Sequence, residues 1–352
     1  MPKKQGQRFK YFTLGNIMTI PVQLENRLRI PLIASPMFFA SGLELVIESC
    51  KAGVVGTFPA LNQRTSEGFE DWLIEIRARL TDWEKQTGKQ AAPFGVNLIV
   101  HKSNPRWQAD LAICVKHKVP LVITSLGAVA DLVDAVHSYD GLVFHDVINA
   151  RHGKKAAVAG VDGLIAVCNG AGGHAGTTNP FALVAEIRQF FDKTIILAGS
   201  LSHGKDVATA EMMGADMAYM GTRFLVTSEA NIADDYQDMI INSSASDILY
   251  TPKISGVNAS FIRQSVVDAG IDPTDLTPKA ELDFGDELDV GNKTQSKEKK
   301  AWRDIWSAGQ GVGSIDEVLK TADLVDNLAN EYHAAIADHQ KKYINTFAKL
   351  TS

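Results

Sequence analysis

The chain has 352 residues, 45% of them hydrophobic, and 35 basic against 41 acidic residues give a net charge of −6. That balance, with no cluster of Lys and Arg, argues against a nucleic-acid partner, and no run of about 18 apolar residues suggests a membrane span. The three cysteines, Cys50, Cys114 and Cys168, form no CxxC pair. A disulfide framework and a structural metal site are therefore not expected, and a reducing, cytoplasmic location is.

The N-terminus carries Lys3, Lys4, Arg8 and Lys10, with no acidic residue before Glu25. Gly15, Asn16 and Thr19 interrupt the apolar core that a signal peptide needs, which leaves a cleaved organellar leader as the lesser alternative. Short apolar runs then recur. Residues 30–34 lead into Ser35-Pro36-Met37, 53–57 follow, and 93–99 contain Gly95-Val96-Asn97-Leu98. Runs at 119–124, 141–145, 163–167, 194–198 and 217–220 complete a set of eight. They are continuous rather than alternating, as in strands buried on both faces.

Amphipathic stretches at 42–52, 67–86, 107–117, 127–138, 152–160, 181–191 and 205–214 separate them. Several end in glycine, the usual residue just past a helix. Alternating strands and helices imply a parallel sheet. Eight units in roughly 200 residues predict a closed (β/α)₈ TIM barrel. The rival, an open doubly wound sheet, lacks its G-x-G-x-x-G turn after the first strand.

Beyond Thr222 the composition changes. Residues 271–300 are polar, with Pro273, Pro278 and a charged run at 297–300, and read as a solvated excursion. Ser314-Ile315-Asp316-Glu317 is a capping-box pattern that predicts a long helix to about residue 345. Its face of Ile315, Val318, Leu319, Ala322, Val325, Leu328, Ala329 and Tyr332 is expected to pack on the barrel.

In a barrel, ligands bind at the carboxyl ends of the strands. The most informative such end is Cys168-Asn169-Gly170-Ala171-Gly172-Gly173-His174-Ala175-Gly176, between the 163–167 strand and the helix start Asn179-Pro180. A glycine-rich turn lets backbone N–H groups approach an anion. Gly199-Ser200 and Gly221-Thr222 repeat the small-residue theme on the last two strands, where barrels commonly dock phosphate. A lone histidine more often caps a turn or fills a core, but His174 inside this loop is assigned a functional role. His145 and His152 lack a metal-binding motif such as H-E-x-x-H, and His152 is read as starting a helix. Cys168 has no activating neighbour and is expected to be buried.

Taken in order, Ala34-Ser35-Pro36-Met37, Gly95-Val96-Asn97-Leu98, Ala171-Gly172-Gly173-His174-x-Gly176, Leu197-Ala198-Gly199-Ser200 and Met220-Gly221-Thr222-Arg223-Phe224 resemble the nitronate monooxygenase family, formerly 2-nitropropane dioxygenase. The resemblance covers residues 28 to about 265 and resumes at Ala308-Gly309-Gln310-Gly311-Val312-Gly313. It implies an FMN-binding barrel over 1–265 with a C-terminal extension at 266–352. By position, Pro36 and Met37 would lie against the isoalloxazine, Ser35 would join the cofactor-binding set, and Asn97 would hydrogen-bond the ring's polar edge. Gly172, Gly173, Gly199, Ser200, Gly221 and Thr222 would cradle the phosphate, and His174 would be the catalytic residue. The implied reaction oxidises an alkyl nitronate or nitroalkane with O2, without nucleic acid or membrane, and leaves a homodimer open.

Three positions depart from the family pattern. Many members carry a glutamine ahead of the Ala-Gly-Gly-His segment, where this chain has Val167-Cys168-Asn169-Gly170. Some have a histidine after the fourth strand, where Ser125-Leu126-Gly127 stands. Relatives place a lysine after the histidine of the fifth strand, and here Asp146 follows His145. The rival functions are an NAD(P)H-dependent flavin reductase of quinones or enoyl thioesters, a non-redox phosphate-binding isomerase or lyase, and a flavoprotein without enzymatic activity.

Overall fold

The computed structural model describes residues 20–127, 130–275, 277 and 304–350. The basic N-terminus and most of the polar excursion at 271–300 lie outside the described residues. The strands in chain order are β1 (Leu32–Ala34), β2 (Val55–Pro59), β3 (Phe94–Ile99), β4 (Leu121–Ser125), β5 (Leu142–Val147), β6 (Gly163–Val167), β7 (Gly173–His174), β8 (Thr194–Ala198), β9 (Met217–Met220), β10 (Ile248–Thr251) and β11 (Ala259–Ile262). Eight of them close the expected barrel in the order β1-β2-β3-β4-β5-β6-β8-β9. All its pairings are parallel, and β1 seals it by pairing Ile33 with Val55 on one side and Leu32 with Ala218 on the other.

Successive strand residues point to opposite faces, and this period of two sorts the core into two layers. Ile33, Val55, Leu121, Ile123, Leu142, Phe144, Ile165, Ile196 and Met217 fill the barrel interior. Val96, Leu98, Val122, Val143, Leu164, Ala166 and Leu197 face the surrounding helices. Each fully buried side chain of this kind contributes roughly 1.5–3 kcal/mol of transfer free energy. The same parity, continued to the carboxyl ends, turns Asn97, Ser125, Asp146 and Tyr219 inward. His145 shares the outward parity of Val143 and Val147.

Helices follow the strands much as the apolar periodicity predicts. Ser66–Thr87 is capped by Thr65, whose side chain accepts from Gly68 N. Ala150–Val158 is capped by Asn149, which accepts from His152 N, so His152 lies in the first turn. Pro180–Arg188 starts at Asn179-Pro180 as read, with the Asn179 side chain accepting from Phe181 N.

Two features differ from expectation. The glycine loop contains a strand: Gly173–His174 pairs antiparallel with β11, which pairs with β10. Two residues within a glycine-rich run carry no detectable periodicity. The C-terminal helix begins at Thr321 rather than after Ser314. Ser314 Oγ instead donates back to the Gly311 carbonyl. Leu319 is drawn into a parallel bridge with Thr227, which holds the intervening chain extended. Glu229 then accepts from the N–H and hydroxyl of Thr321.

Helix Thr321–Leu350 crosses helix Gly204–Met212 at close range. Leu324, Val325, Leu328 and Ala329 are buried in one cluster with Leu45 and Val207, whereas Val318 is 42% exposed. Gly204 N donates to Glu331 Oε2 at 2.6 Å. A Cβ on Gly204 would fall 1.9 Å from the Leu328 carbonyl oxygen and 2.6 Å from Tyr332 N. Gly204→Ala should therefore destabilise the protein by about 1–3 kcal/mol, the usual cost of overpacking. Urea unfolding measures this, and an unchanged midpoint would refute so tight a crossing.

Candidate active site

One cavity of about 880 Å³ opens at the carboxyl ends of the barrel strands. Each of the residues Ser35, Pro36, Met37, Asn97, Gly172, Gly173, His174, Gly199, Ser200, Gly221 and Thr222 lines it. The structure thus brings every sequence-predicted site residue to a single place, although they come from strand ends spread over nearly 190 positions.

The three small-residue ends sit close to other chain segments, Gly172 and Gly199 to backbone and Gly221 to the side chains of Ser35 and Met37. A Cβ on Gly172 would lie 2.9 Å from Gly309 N, and one on Gly221 would lie 2.6 Å from Ser35 Oγ. Gly199 has φ of 129°, with Asn169 O at 3.0 Å from where its Cβ would be. Side chains are excluded there, so these ends offer backbone and the hydroxyls of Ser200 and Thr222. Asp146 is the one carboxylate among the described lining residues. A rim of small residues and hydroxyls, with a single carboxylate in the whole lining, fits a bound phosphate.

The histidine loop is fixed from the C-terminal side. His174 pairs with Ala259 on β11. Gly173 N donates to Ser307 Oγ at 2.7 Å, and Ser307 Oγ donates to the Ser260 carbonyl at 2.7 Å. Ser307 N donates to Tyr236 Oη at 3.0 Å, and Tyr236 Oη donates to the Ser307 carbonyl. The Tyr236 ring stacks on Trp306 with centroids 4.9 Å apart. Gln310 N donates to the Gly170 carbonyl, and Gly309 N to Thr222 Oγ1. The Ala308–Gly313 run was visible as a family resemblance, but nothing in its sequence announced that it braces the loop and lines the cavity. Ser307 and Tyr236 carried no signal at all.

Burial lowers the His174 pKa to about 4, so its ring is neutral at pH 7. His145 is buried, bonds Thr124 Oγ1 through Nδ1 at 2.7 Å, and is likewise lowered to about 4, by burial and then by His152. Cys168 is fully buried, and burial pushes its thiol up to about 12, which leaves it unreactive as expected. Asp146 moves the other way. Burial raises it to about 6, outweighing a 2.6 Å hydrogen bond from Ser125 Oγ to its Oδ2. Asn97 Nδ2 donates in turn to Ser125 Oγ at 2.8 Å. Ser125 and Asp146, at the ends of the fourth and fifth strands, are thus hydrogen-bonded to each other.

The mouth is apolar. Phe39, Leu126 and Ile148 line the cavity and are 39%, 45% and 39% exposed. Phe39 and Leu126 hold positive φ angles of 61° and 65°, as does Ser200 at 58°. Non-glycine residues rarely adopt this conformation, and it concentrates at ligand sites.

Fold and site together define a (β/α)₈ barrel with a glycine-lined cavity beside a neutral histidine. The family model for nitronate monooxygenase matches residues 61–331. The chain is 24% identical over 355 residues to a nitronate monooxygenase of Paraburkholderia phytofirmans, covering 87% of this chain and 93% of that one. It is 25% identical over 239 residues to a carboxyl-CoA dehydrogenase of Rhodococcus jostii. That match covers 68% of this chain but only 64% of the dehydrogenase, so the chain spans less than two thirds of that relative's length. Among solved structures, a nitroalkane oxidase from Streptomyces ansochromogenes superposes with a TM-score of 0.73 at 20% identity, covering 89% of this chain and 98% of that one. That likeness shows the shared barrel. The chain belongs to the nitronate monooxygenase family.

The Asp146 shift has a consequence for stability. Its folded pKa lies above the value of an unfolded aspartate, so its favourable contribution is complete below about pH 4 and is lost as the pH rises through about 6. Asp146→Asn keeps the shape without the buried charge. It should raise the melting temperature at pH 8 and leave it unchanged near pH 4. Thermal melts across that range test this, and an equal effect at both ends would contradict it.

Proposed function

We propose that this protein is an FMN-dependent nitronate monooxygenase that oxidises alkyl nitronates such as propionate 3-nitronate with O2 to carbonyl compounds and nitrite. The observation that carries this reading is the convergence of the three small-residue strand ends and His174 on one cavity, in a chain of this family.

Gly172, Gly173, Gly199, Ser200, Gly221 and Thr222 would hold the FMN phosphate. The cradle that excludes a Cβ at Gly172 and Gly221 supports that fit. Ser35, Pro36 and Met37 at the end of β1 would meet the ring system, and Asn97 its polar edge. The flavin, when bound, supplies the electron acceptor and the route to O2, as cofactors do in enzymes of this kind. The chain supplies orientation and charge stabilisation. His174, neutral at pH 7, is suited to donate a hydrogen bond to the negatively charged nitro oxygens of a nitronate. Its pairing with β11 and the Ser307 brace hold it in place for that contact.

Purified protein should carry FMN, seen as flavin absorbance, and should consume O2 with propionate 3-nitronate. Absence of flavin or of O2 uptake would reject the reading. His174→Ala should keep the flavin while turnover falls at least tenfold, a conservative bound for a residue of this type. Steady-state oxygen-electrode rates decide the point, and an unaltered rate would remove His174 from the mechanism.

A further inference from the structure

The cavity does not stop at the strand ends. His145 has the outward parity of Val143 and Val147, away from the barrel interior, yet it lines the cavity. So do His152, Lys155 and Ala156 of helix Ala150–Val158. Spacings of three and four place these last three on one helix face, on which Ala156 is buried. His145 senses His152 from across the gap. A branch of the cavity therefore runs outward between β5 and the helix that follows it. Leu126 and Gly127 after β4 and Ile148 after β5 stand at its entrance.

Among the described lining residues Lys155 is the one lysine or arginine. It is exposed and has no ion-pair partner among the described residues. Its neighbour Lys154 does not line the cavity and instead lies 5.3 Å from the centroid of the Phe190 ring. The apolar entrance is held in an unfavourable backbone state. Leu126 has φ of 65°, and across the mouth Phe39 has φ of 61°. Phe39 N donates to Asn62 Oδ1 at 3.0 Å, and Asn231 Nδ2 donates to the Phe39 carbonyl at 3.1 Å. Such conformations persist only where the surroundings enforce them, and they collect at ligand clamps. The result is an apolar passage that ends on a single fixed cation. β4, which carries Leu126, lies four places from β9 in the closed order, on the opposite side of the barrel. The branch is therefore remote from the small-residue ends of the last two strands.

We propose that this branch binds the tail of the substrate, and that the enzyme's nitronates carry a carboxylate at the far end of an apolar chain longer than that of propionate 3-nitronate. This rests on the nitronate-oxidising function proposed above and narrows its substrate class. The chain lies along Leu126 and Ile148, and its carboxylate meets the Lys155 ammonium, with His152 beside it as a further hydrogen-bonding group. The nitro end stays at His174. No bond forms or breaks in the branch, which selects among substrates by differential binding. An uncharged chain of the same length forfeits the Lys155 contact. A short chain leaves the apolar entrance wet and loses the gain from covering it.

The test compares the nitronate of 6-nitrohexanoate with that of 1-nitrohexane and with propionate 3-nitronate in the flavin-loaded enzyme. The wild type should show its highest kcat/KM with the first. Lys155→Met should lower that value about fivefold through KM, the upper worth of a solvent-accessible charge contact, and leave 1-nitrohexane unaffected. Lys155→Glu should lower it further, and added salt should shrink the wild-type preference. Both variants alter an exposed side chain and should retain flavin. Calorimetry with hexanoate, which does not react, reads the branch without turnover. The wild type should bind hexanoate more tightly than 1-hexanol, and Lys155→Met should lose that difference. A wild type that favours 1-nitrohexane or propionate 3-nitronate overturns the inference. So does a preference for the carboxylate that survives in both Lys155 variants. Turnover of no nitronate at all overturns the proposed function, and Lys155-dependent binding of hexanoate would then still support the anion subsite.

Discussion

Closure of the barrel is the constraint on which the rest of this structure depends. Once β1 pairs with both β2 and β9, no strand can slip by one residue without turning its core face outward. The hydrophobic sequence therefore decides the polar one. Leu142 and Phe144 must point inward, so Asp146 must as well, and His145 must not. Leu121 and Ile123 place Ser125 by the same rule. The site's chemistry is positioned by the apolar residues beneath it.

A second layer of fixation comes from outside the barrel. The segment Ile305–Ile315 packs its apolar residues against Phe261, Ile262 and Tyr236, and its polar atoms reach the glycine loop. A loop with glycines at φ of 86° and 65° would otherwise sample many conformations. The Ser307 hydroxyl bonds the loop and β11 together, so the freedom that lets backbone approach a phosphate does not loosen the histidine. The site combines backbone too crowded to accept a side chain with backbone pinned by distant hydrogen bonds.

Much of this was legible in the sequence, for identifiable reasons. The runs at 163–167, 194–198 and 217–220 coincide with β6, β8 and β9 because buried parallel strands leave uninterrupted apolar stretches. The small-residue ends were legible because position on a barrel rim limits what they can be for. β7 was not, since two residues joined to a strand some 85 positions later leave no local pattern. The Ser314–Glu317 pattern misled because a bridge from Leu319 to Thr227 outcompeted local capping. Asp146 was visible as an anomaly, an anion where relatives carry a cation. Its partner Ser125 was visible as a separate anomaly. Only the structure shows their 2.6 Å contact.

The brace between Ser307 and Gly173 spans 134 residues of chain. Synthesis proceeds from the N-terminus, and folding units assemble as they emerge. All eight barrel strands are complete by Met220, yet the residue that pins the histidine loop is made almost ninety positions later. All the strands that close the barrel are thus made before the brace of its cavity. The cavity's final geometry therefore waits on a residue made well after the last barrel strand.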